Sequence, residues 1–352
     1  MIIIVIILAV AILALLEKFW APAALKALRR EGQCDRALAE PGETLTWTSK
    51  VENTGSLPIP FVRVKEDLPA CAVIKEKESF LLTHCRKGDY WWHVEHRLAL
   101  NPRQSAAKTV RFSLPQRGAF RIGGGSIAAG DLLGFREKDR AYEGQTVVIM
   151  PRRSENVNAL DAAGGFLGDI SVRRFILEDP VLTVGFRDYT GREPLKSISW
   201  TRTAMAGSLQ VKQFDHTSEQ TAVVLLNTAG AAGETLEECL RLTRSVCEQL
   251  EEKKIPFSLR TNGNLPGPVG KLFYQAEGLG SSHLNTILYA LGRADTTCFY
   301  SFRTLVRQAL RSRRQNDAYI IITAPLSGGD KAAVSQLETV GGTPVCVLEV
   351  TE

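Results

Sequence analysis

Histidine and cysteine side chains that could bind a metal or attack a substrate lie in one short part of the chain. His93 and His96 are three residues apart, and His84 directly precedes Cys85. The surrounding residues alternate between aromatic and polar, which predicts a β-strand on which side chains three positions apart point to opposite faces. Zinc binding by both His93 and His96 would need a helix, on which residues three apart share a face. The neighbouring His84 does not make Cys85 a nucleophile, because a catalytic thiol needs a histidine close in space rather than in sequence. We therefore expect ordinary strand residues here.

Two glycine-rich segments share part of a known catalytic or phosphate-binding pattern. The segment 267–272 contains Gly-Lys, but a phosphate loop needs a glycine where Leu265 stands and a hydroxyl where Leu272 stands. The segment 123–128 has a serine after three glycines, yet it lies among predicted strands, whereas a nucleophile elbow joins a strand to a helix. Neither segment predicts catalysis, and we expect no cofactor.

The composition is that of an ordinary globular protein. Of 352 residues, 44% are hydrophobic and 23% charged, which excludes extensive disorder. The net charge of +5 is too small to predict a nucleic-acid partner. Four arginines between residues 307 and 314 lie at the C-terminal end of a predicted helix, where their positive charge interacts favourably with the helix dipole. Contact with anionic lipid or RNA is the alternative interpretation. Seven cysteines without a Cys-x-x-Cys pair predict reduced, buried thiols.

The N-terminal segment Met1–Leu16 is continuously apolar. As a helix it would span roughly 24 Å, and Phe19 and Trp20 would extend it toward the bilayer core of about 30 Å. A cleaved signal peptide is the alternative, although no basic residue precedes the apolar run. We predict a transmembrane anchor over 1–21 and a basic linker over 22–33, which by the positive-inside rule gives a single-pass cell-membrane protein with its bulk in the cytoplasm.

The rest of the chain divides by its hydrophobic pattern. Short alternating runs broken by Gly and Pro predict an immunoglobulin-like β-sandwich over 34–152. Residues 153–216 form a polar connector, and buried-type strands alternating with helices over 217–352 predict a doubly wound α/β domain. The predicted fold class is thus an α+β multidomain protein: a transmembrane helix, a β-sandwich, then the α/β domain.

The end of the first α/β strand is where a von Willebrand factor type A domain carries its metal-binding Asp-x-Ser-x-Ser. The corresponding positions here hold Asn227, Ala229 and Ala231. Since the carboxylate and both hydroxyls are missing, we expect a degenerate site that binds no metal.

One run in the connector carries a family resemblance. Residues 185–214 read GFRDYTGREPLKSISWTRTAMAGSLQVKQF. This run resembles the signature of the domain of unknown function 58 family of bacterial and archaeal proteins, and segments 117–120, 131–135 and 147–152 resemble other parts of the family pattern. Glu193, Ser199 and Met205 depart from the signature. The signature and partner-docking candidates are Arg187, Tyr189, Glu193, Ile198, Trp200, Arg202 and Leu209.

The resemblance implies a membrane-anchored, non-catalytic scaffold or adaptor with a von Willebrand factor type A-like domain. It further implies protein partners of two kinds, a MoxR-type AAA ATPase or a transglutaminase-like membrane protein, and no nucleic acid. From the residues alone, two interpretations of the signature remain: a partner-docking surface, or a clasp that buries Trp200, Ile198, Tyr189 and Phe186 against the α/β domain, with Arg187 paired to Asp188 or Glu193. A hydrolase with an unrecognised site and an exported adhesion-type protein are the alternative functions.

Overall fold

The computed structural model forms two compact units, Met1–Arg152 and Arg153–Glu352. Each unit is described separately. The structure describes residues 20–75, 83–130, 137–174, 179–191, 193–215, 221–265, 273–314, 317–341 and 343–350.

The described part of the first unit is built almost entirely from strands. They are β1 (Leu28–Cys34), β2 (Leu38–Ala39), β3 (Thr44–Asn53), β4 (Ile59–Pro69), β5 (Val73–Ile74), β6 (Thr83–Lys87), β7 (Trp91–Leu100), β8 (Ser105–Ser113), β9 (Gly118–Ile122), β10 (Gly124–Gly130), β11 (Glu137–Tyr142) and β12 (Gln145–Ile149). Their sheets run β1-β3-β8-β5, β11-β10-β4-β7-β6 and β2-β12-β9.

These sheets pack face to face as a β-sandwich. Burial alternates along β3 and β4, as the period of two in a half-buried strand requires. Leu45 and Trp47 of β3 share one core cluster with Leu68 of β4 and Val94 of β7. Since these strands belong to different sheets, side chains from both inner faces build the core.

A buried ion pair lies in this sandwich. Arg30 Nη2 contacts Glu66 Oε1 at 2.5 Å, and both side chains are almost fully buried. The indole nitrogen of Trp47 donates a 3.1 Å hydrogen bond to Glu66 Oε2, and the Arg30 guanidinium lies 3.9 Å from the Tyr142 ring centroid. His96 Nε2 lies 3.7 Å from Glu66 Oε2. The pair is therefore enclosed by polar and aromatic groups that offset its desolvation.

The strand predicted around the two histidines is confirmed. His96 is buried beside Glu66, whereas His93 is exposed and contacts Asp67 with its Nδ1 at 2.6 Å. The two imidazoles therefore face opposite sides of β7, as the strand period requires. The glycine run has a packing role, because a Cβ at Gly123, whose φ is +69°, would lie 1.9 Å from Trp47 Cζ2.

The second unit combines helices with two sheets. Its helices are α1 (Val157–Arg174), α2 (Trp200–Ala206), α3 (Gly233–Glu252), α4 (Ser281–Gly292), α5 (Phe302–Arg311) and α6 (Gly328–Gly341). Its strands are β13 (Asp179–Asp188), β14 (Gln210–Asp215), β15 (Thr221–Asn227), β16 (Phe257–Thr261), β17 (Phe273–Gly278), β18 (Asp317–Thr323) and β19 (Val345–Glu349).

The larger sheet has the order β17-β16-β15-β18-β19, in which β17 is antiparallel to β16 and the other pairs are parallel. On one face, Val223 and Tyr319 form a core with Leu305 of α5 and Leu337 of α6. Strands β13 and β14 pair with each other as a separate antiparallel sheet.

The predicted transmembrane anchor and the membrane localisation derived from it are corrected. Residues 1–19 lie outside the described residues, and no helix in the described part of the chain is long and apolar enough to cross a bilayer. Residues 20–27 are helical and lead directly into β1, and Ala24 and Leu28 are buried in the sandwich core. Ala21, Ala24 and Leu28 are thus buried by protein, which the hydropathy of the sequence does not reveal.

The predicted fold class is wrong in its transmembrane helix and its von Willebrand factor type A-like domain, whereas the predicted β-sandwich is present in the first unit. Strand residues outnumber helical ones in the described part of the chain, and most strand pairs are antiparallel, so the protein is mainly β. Alternating buried strands and helices predict local elements well, and the helix predicted over 234–252 is present as α3. The alternation of strands and helices does not specify a von Willebrand factor type A domain, because many different α/β folds have the same alternation.

Candidate functional site

The signature run folds into a hairpin that carries a short helix. Strands β13 and β14 pair Arg187 with Val211 and Phe186 with Lys212. Ile198 forms an isolated bridge to Val211, and both side chains are buried. Helix α2 then ends at Gly207, whose φ of 70° is the left-handed conformation that glycine adopts most easily. The hairpin thus has a small apolar interior of its own.

A network of polar contacts orders the turn after β13. Arg187 Nη1 contacts Glu193 Oε1 at 2.5 Å. Of the two carboxylates expected to pair with Arg187, Asp188 and Glu193, the structure therefore shows Glu193. Thr190 donates to Glu193 from its hydroxyl at 2.8 Å and from its backbone N–H at 3.1 Å. Partial desolvation acts to raise the pKa of Glu193, but the bonds from Thr190 and the Arg187 guanidinium outweigh it and lower that pKa to about 2.

Removing the Thr190 hydroxyl should change the titration of Glu193. In Thr190→Val we expect the carboxyl pKa to rise from about 2 toward the ordinary 4.5, measured by NMR of the carboxyl carbon. Because the folded pKa is depressed, Glu193 stabilises the turn above pH 4.5 and loses this contribution as the pH falls toward 2. Thr201→Val, an exposed threonine on α2, is the matched control and should leave this pKa unchanged. An unchanged pKa in Thr190→Val would contradict the assignment.

Large apolar side chains project from the same hairpin into solvent. Trp200 is 66% exposed, Met205 76% and Leu195 69%, and Phe186 and Leu209 are about two-fifths exposed. The Arg202 guanidinium lies over the Phe186 ring at 5.0 Å. We call these six residues the signature surface. Several large apolar side chains exposed within one short segment make that segment a candidate interaction surface.

The clasp interpretation is wrong for most of its residues. Of the four side chains it would bury, only Ile198 is buried, whereas Trp200 and Phe186 are exposed and Tyr189 is half-buried. The sequence pattern singles out Trp200, Arg202 and Leu209 but not Leu195 or Met205. These two residues stand out only by their exposure, which the sequence does not show because α2 has only 7 residues and is too short to give a helical period.

The degenerate metal positions at the end of β15 are occupied by a hydrogen-bond network. Asn227 Oδ1 accepts from the Ala229 N–H at 3.1 Å and from Asn262 Nδ2 at 2.7 Å. Its Nδ2 donates to Thr323 Oγ1 at 2.8 Å. Ala231 is buried nearby and offers no polar side chain. The buried amides therefore satisfy one another, as buried polar groups must.

The remaining sequence candidates do not come together as a site. The Gly-Lys segment 266–272 lies outside the described residues, as does 131–136. All seven cysteines are unpaired, and Cys298 is exposed while the others are at least half-buried. Burial raises the pKa of the Cys239 thiol to about 12, which keeps it protonated and unreactive. In the described part of the chain, no three His, Cys, Asp or Glu residues cluster as metal ligands.

Comparison with known proteins gives remote likenesses only. No family model matches the chain, and no curated protein matches it. Among solved structures it is similar to the CARDB domain of a Pyrococcus furiosus protein, with 13% identity over 35% of this chain and 86% of that one and a TM-score of 0.22. It is similar to a cohesin module of a Clostridium perfringens family 33 glycoside hydrolase, with 10% identity over 35% and 96% of the two chains and a TM-score of 0.28.

A non-cellulosomal cohesin from Archaeoglobus fulgidus is similar at 14% identity over 34% of this chain and 91% of that one, with a TM-score of 0.25. The von Willebrand factor type A-like domain predicted over residues 217–352 is corrected on the topology of the second unit, whose larger sheet is mixed because β17 runs antiparallel to β16.

Proposed function

We propose that the chain is a non-catalytic adaptor that binds a protein partner through the signature surface. The coarser part of the proposal is that the partner is a protein. The finer part is that this partner is a MoxR-type AAA ATPase, as the resemblance of the signature to the domain of unknown function 58 family implies.

The exposure of Trp200 is the observation that carries the proposal. Tryptophan buries a large area when it docks and is enriched among the residues that dominate binding energy. Met205 and Leu195 are exposed beside it in the run 195–209, and methionine adapts its shape to a partner's surface. Leaving such side chains in water is unfavourable by about 25 cal/mol for each Å² of apolar surface, so a partner that covers them gains binding energy.

Charges beside the apolar residues indicate the chemistry of the partner. Lys196 and Lys212 are exposed and Arg202 is held over Phe186, whereas the charge of Arg187 is balanced by Glu193. The signature surface therefore combines exposed apolar side chains with basic ones from the same segment. A complementary partner presents an apolar patch with carboxylates around it, which steers association and sets orientation.

The test is a binding measurement with purified components. Full-length chain and a MoxR-type AAA ATPase from the same organism are titrated by calorimetry, with and without ATP. We expect Trp200→Ala with Met205→Ala to weaken binding at least tenfold, since loss of a docking aromatic costs about 2 kcal/mol or more. Phe299→Ala removes an aromatic side chain that is 51% exposed elsewhere in the same unit and should leave the affinity unchanged.

Two outcomes separate the parts of this proposal. If the ATPase does not bind but another purified protein binds in a Trp200-dependent manner, the finer partner is wrong and the docking role stands. If Phe299→Ala weakens binding as much as the signature variant, the docking surface is wrongly placed.

A further inference from the structure

A second candidate site lies in the second unit, away from the signature hairpin in sequence. It is a cavity of about 370 Å³ on the larger sheet, lined by residues of β15, β16, β17 and β18, beside the C-terminal end of α5. Its lining comprises Thr221, Val223, Ser258, Arg260, Tyr274, Glu277, Gln308, Arg311, Ser312, Arg314 and Asp317. This volume falls within the range of pockets that hold small organic ligands.

Arg260 is the residue that makes this cavity unusual. It lies on β16, in the interior of the sheet, and is only 8% exposed. Its Nη1 donates to Ser312 Oγ, and its guanidinium lies 4.9 Å from the Tyr274 ring centroid. Its buried Nε has no hydrogen-bond partner among the described residues. The Nε atom itself is closed to solvent, but the described residues give Arg260 no carboxylate partner, so its guanidinium charge can attract an anion in the cavity.

Two further arginines line the same cavity. Arg311 ends α5 and is exposed, and Arg314 follows it and pairs with Glu277. Asp317 is buried and accepts the backbone N–H of Arg314 at 2.8 Å. Three guanidinium groups thus face two carboxylates, and both carboxylates already accept hydrogen bonds within the protein. The lining retains an excess of positive charge and of N–H donors.

The geometry points to this cavity as a binding site for a small phosphomonoester, with Arg260 and Arg311 as its phosphate ligands. A phosphate group offers three terminal oxygens and close to two negative charges, which matches the two guanidiniums and the Ser258 hydroxyl that line the cavity, whereas the Thr221 hydroxyl already donates to Glu277. The half-exposed ring of Tyr274 supplies an apolar wall for the organic part of the ligand. A carboxylate has one charge and two oxygens and would leave donors unfilled.

The site is distinct from a diffuse nucleic-acid surface. Arg307 and Arg311 lie on the same helix, but Arg307 lines a different surface depression, with Val306 and Gly329. Of these two helix residues, Arg311 alone lines the phosphomonoester cavity. A nucleic acid would use both arginines as solvated charges, whereas an enclosed phosphate uses only the one that reaches the cavity.

The experiment uses the full chain and two probes, phenyl phosphate and benzoate, titrated by calorimetry at constant ionic strength. We expect saturable binding of phenyl phosphate with a Kd of about 1 mM or tighter, with benzoate at least tenfold weaker. Arg311→Gln should weaken phenyl phosphate binding at least tenfold, while Arg307→Gln, with the same charge change on the same helix, should not.

Arg260→Met tests the buried ligand directly, and a circular dichroism spectrum equal to wild type shows that this variant is folded. Should it not fold, Arg311→Gln carries the test alone. Three results would overturn the proposal: no saturable binding of phenyl phosphate by the wild-type chain, benzoate bound as tightly as phenyl phosphate, or equal loss in Arg307→Gln and Arg311→Gln. The last would indicate a diffuse basic surface. None of these results bears on the docking surface, which does not share residues with this cavity.

Discussion

Arg30→Met is expected to lower the free energy of unfolding of the first unit by about 3–5 kcal/mol, because it leaves Glu66 as a buried charge without its cation. Glu66 is 1% exposed and cannot regain water without opening the sandwich. Native-state hydrogen exchange of the β3 and β4 amides measures this unit by itself. Arg29→Met is the matched control, since Arg29 is adjacent and pairs with Glu31 in solvent. It should change stability by no more than about 0.5 kcal/mol.

The pH dependence gives a second readout of the same ion pair. Desolvation alone would raise the pKa of Glu66, but the polar groups of His96 and Ser49 and the charge of Arg30 lower it below its usual value. A depressed folded pKa means that the stabilisation is complete above pH 4.5 and is lost as the pH falls below it. The difference between wild type and Arg30→Met should therefore shrink on acidification. Equal stability of Arg30→Met and Arg29→Met at neutral pH would contradict the buried pair.

Trp47→Ala is expected to destabilise the first unit by about 3–5 kcal/mol, the usual cost of removing a buried tryptophan from a core. Trp47 is 1% exposed, packs against the Gly123 backbone and donates to Glu66. The substitution leaves a cavity between the sheets and an unfilled acceptor on a buried carboxylate. Urea unfolding with exchange of the β3 amides measures the loss.

The comparison variant for this prediction is Trp200→Ala, which removes the same side chain from the signature surface. Since Trp200 is 66% exposed, its loss should change the free energy of unfolding by no more than about 0.5 kcal/mol. A large stability loss in Trp200→Ala would show that this side chain is packed in solution. That result would restore the clasp interpretation and remove the basis of the docking proposal.

Strand positions in the sandwich could be predicted from the sequence because they follow a local rule. The alternation around His93 and His96 specifies a strand and places the two imidazoles on opposite faces, as the structure shows. The partner of His96 could not be predicted, because Glu66 lies on another strand and the pairing of β4 with β7 depends on the tertiary fold. The Arg30–Glu66 pair joins residues 36 positions apart for the same reason.

Apolar runs predict burial without specifying what surrounds the side chains. Ala24 and Leu28 belong to the stretch that follows the predicted anchor, and they pack inside the sandwich. The signature run shows the converse. Its motif identified Arg187, Ile198 and Trp200 as special, and Ile198 is indeed buried while Trp200 is in solvent. The motif could be recognised from the sequence, but the exposure of its side chains could not, since α2 has only 7 residues and is too short to show a helical period.

The docking role of the signature surface is the central claim, and hydrogen–deuterium exchange of the full chain with and without the purified AAA ATPase tests it most directly. The account predicts slower exchange of the amides in 195–209, which contain α2 and its exposed side chains, when the ATPase is bound. The Trp200→Ala, Met205→Ala variant should lose this protection at the same ATPase concentration. Protection confined to segments outside 185–215 in a saturated complex would contradict the claim.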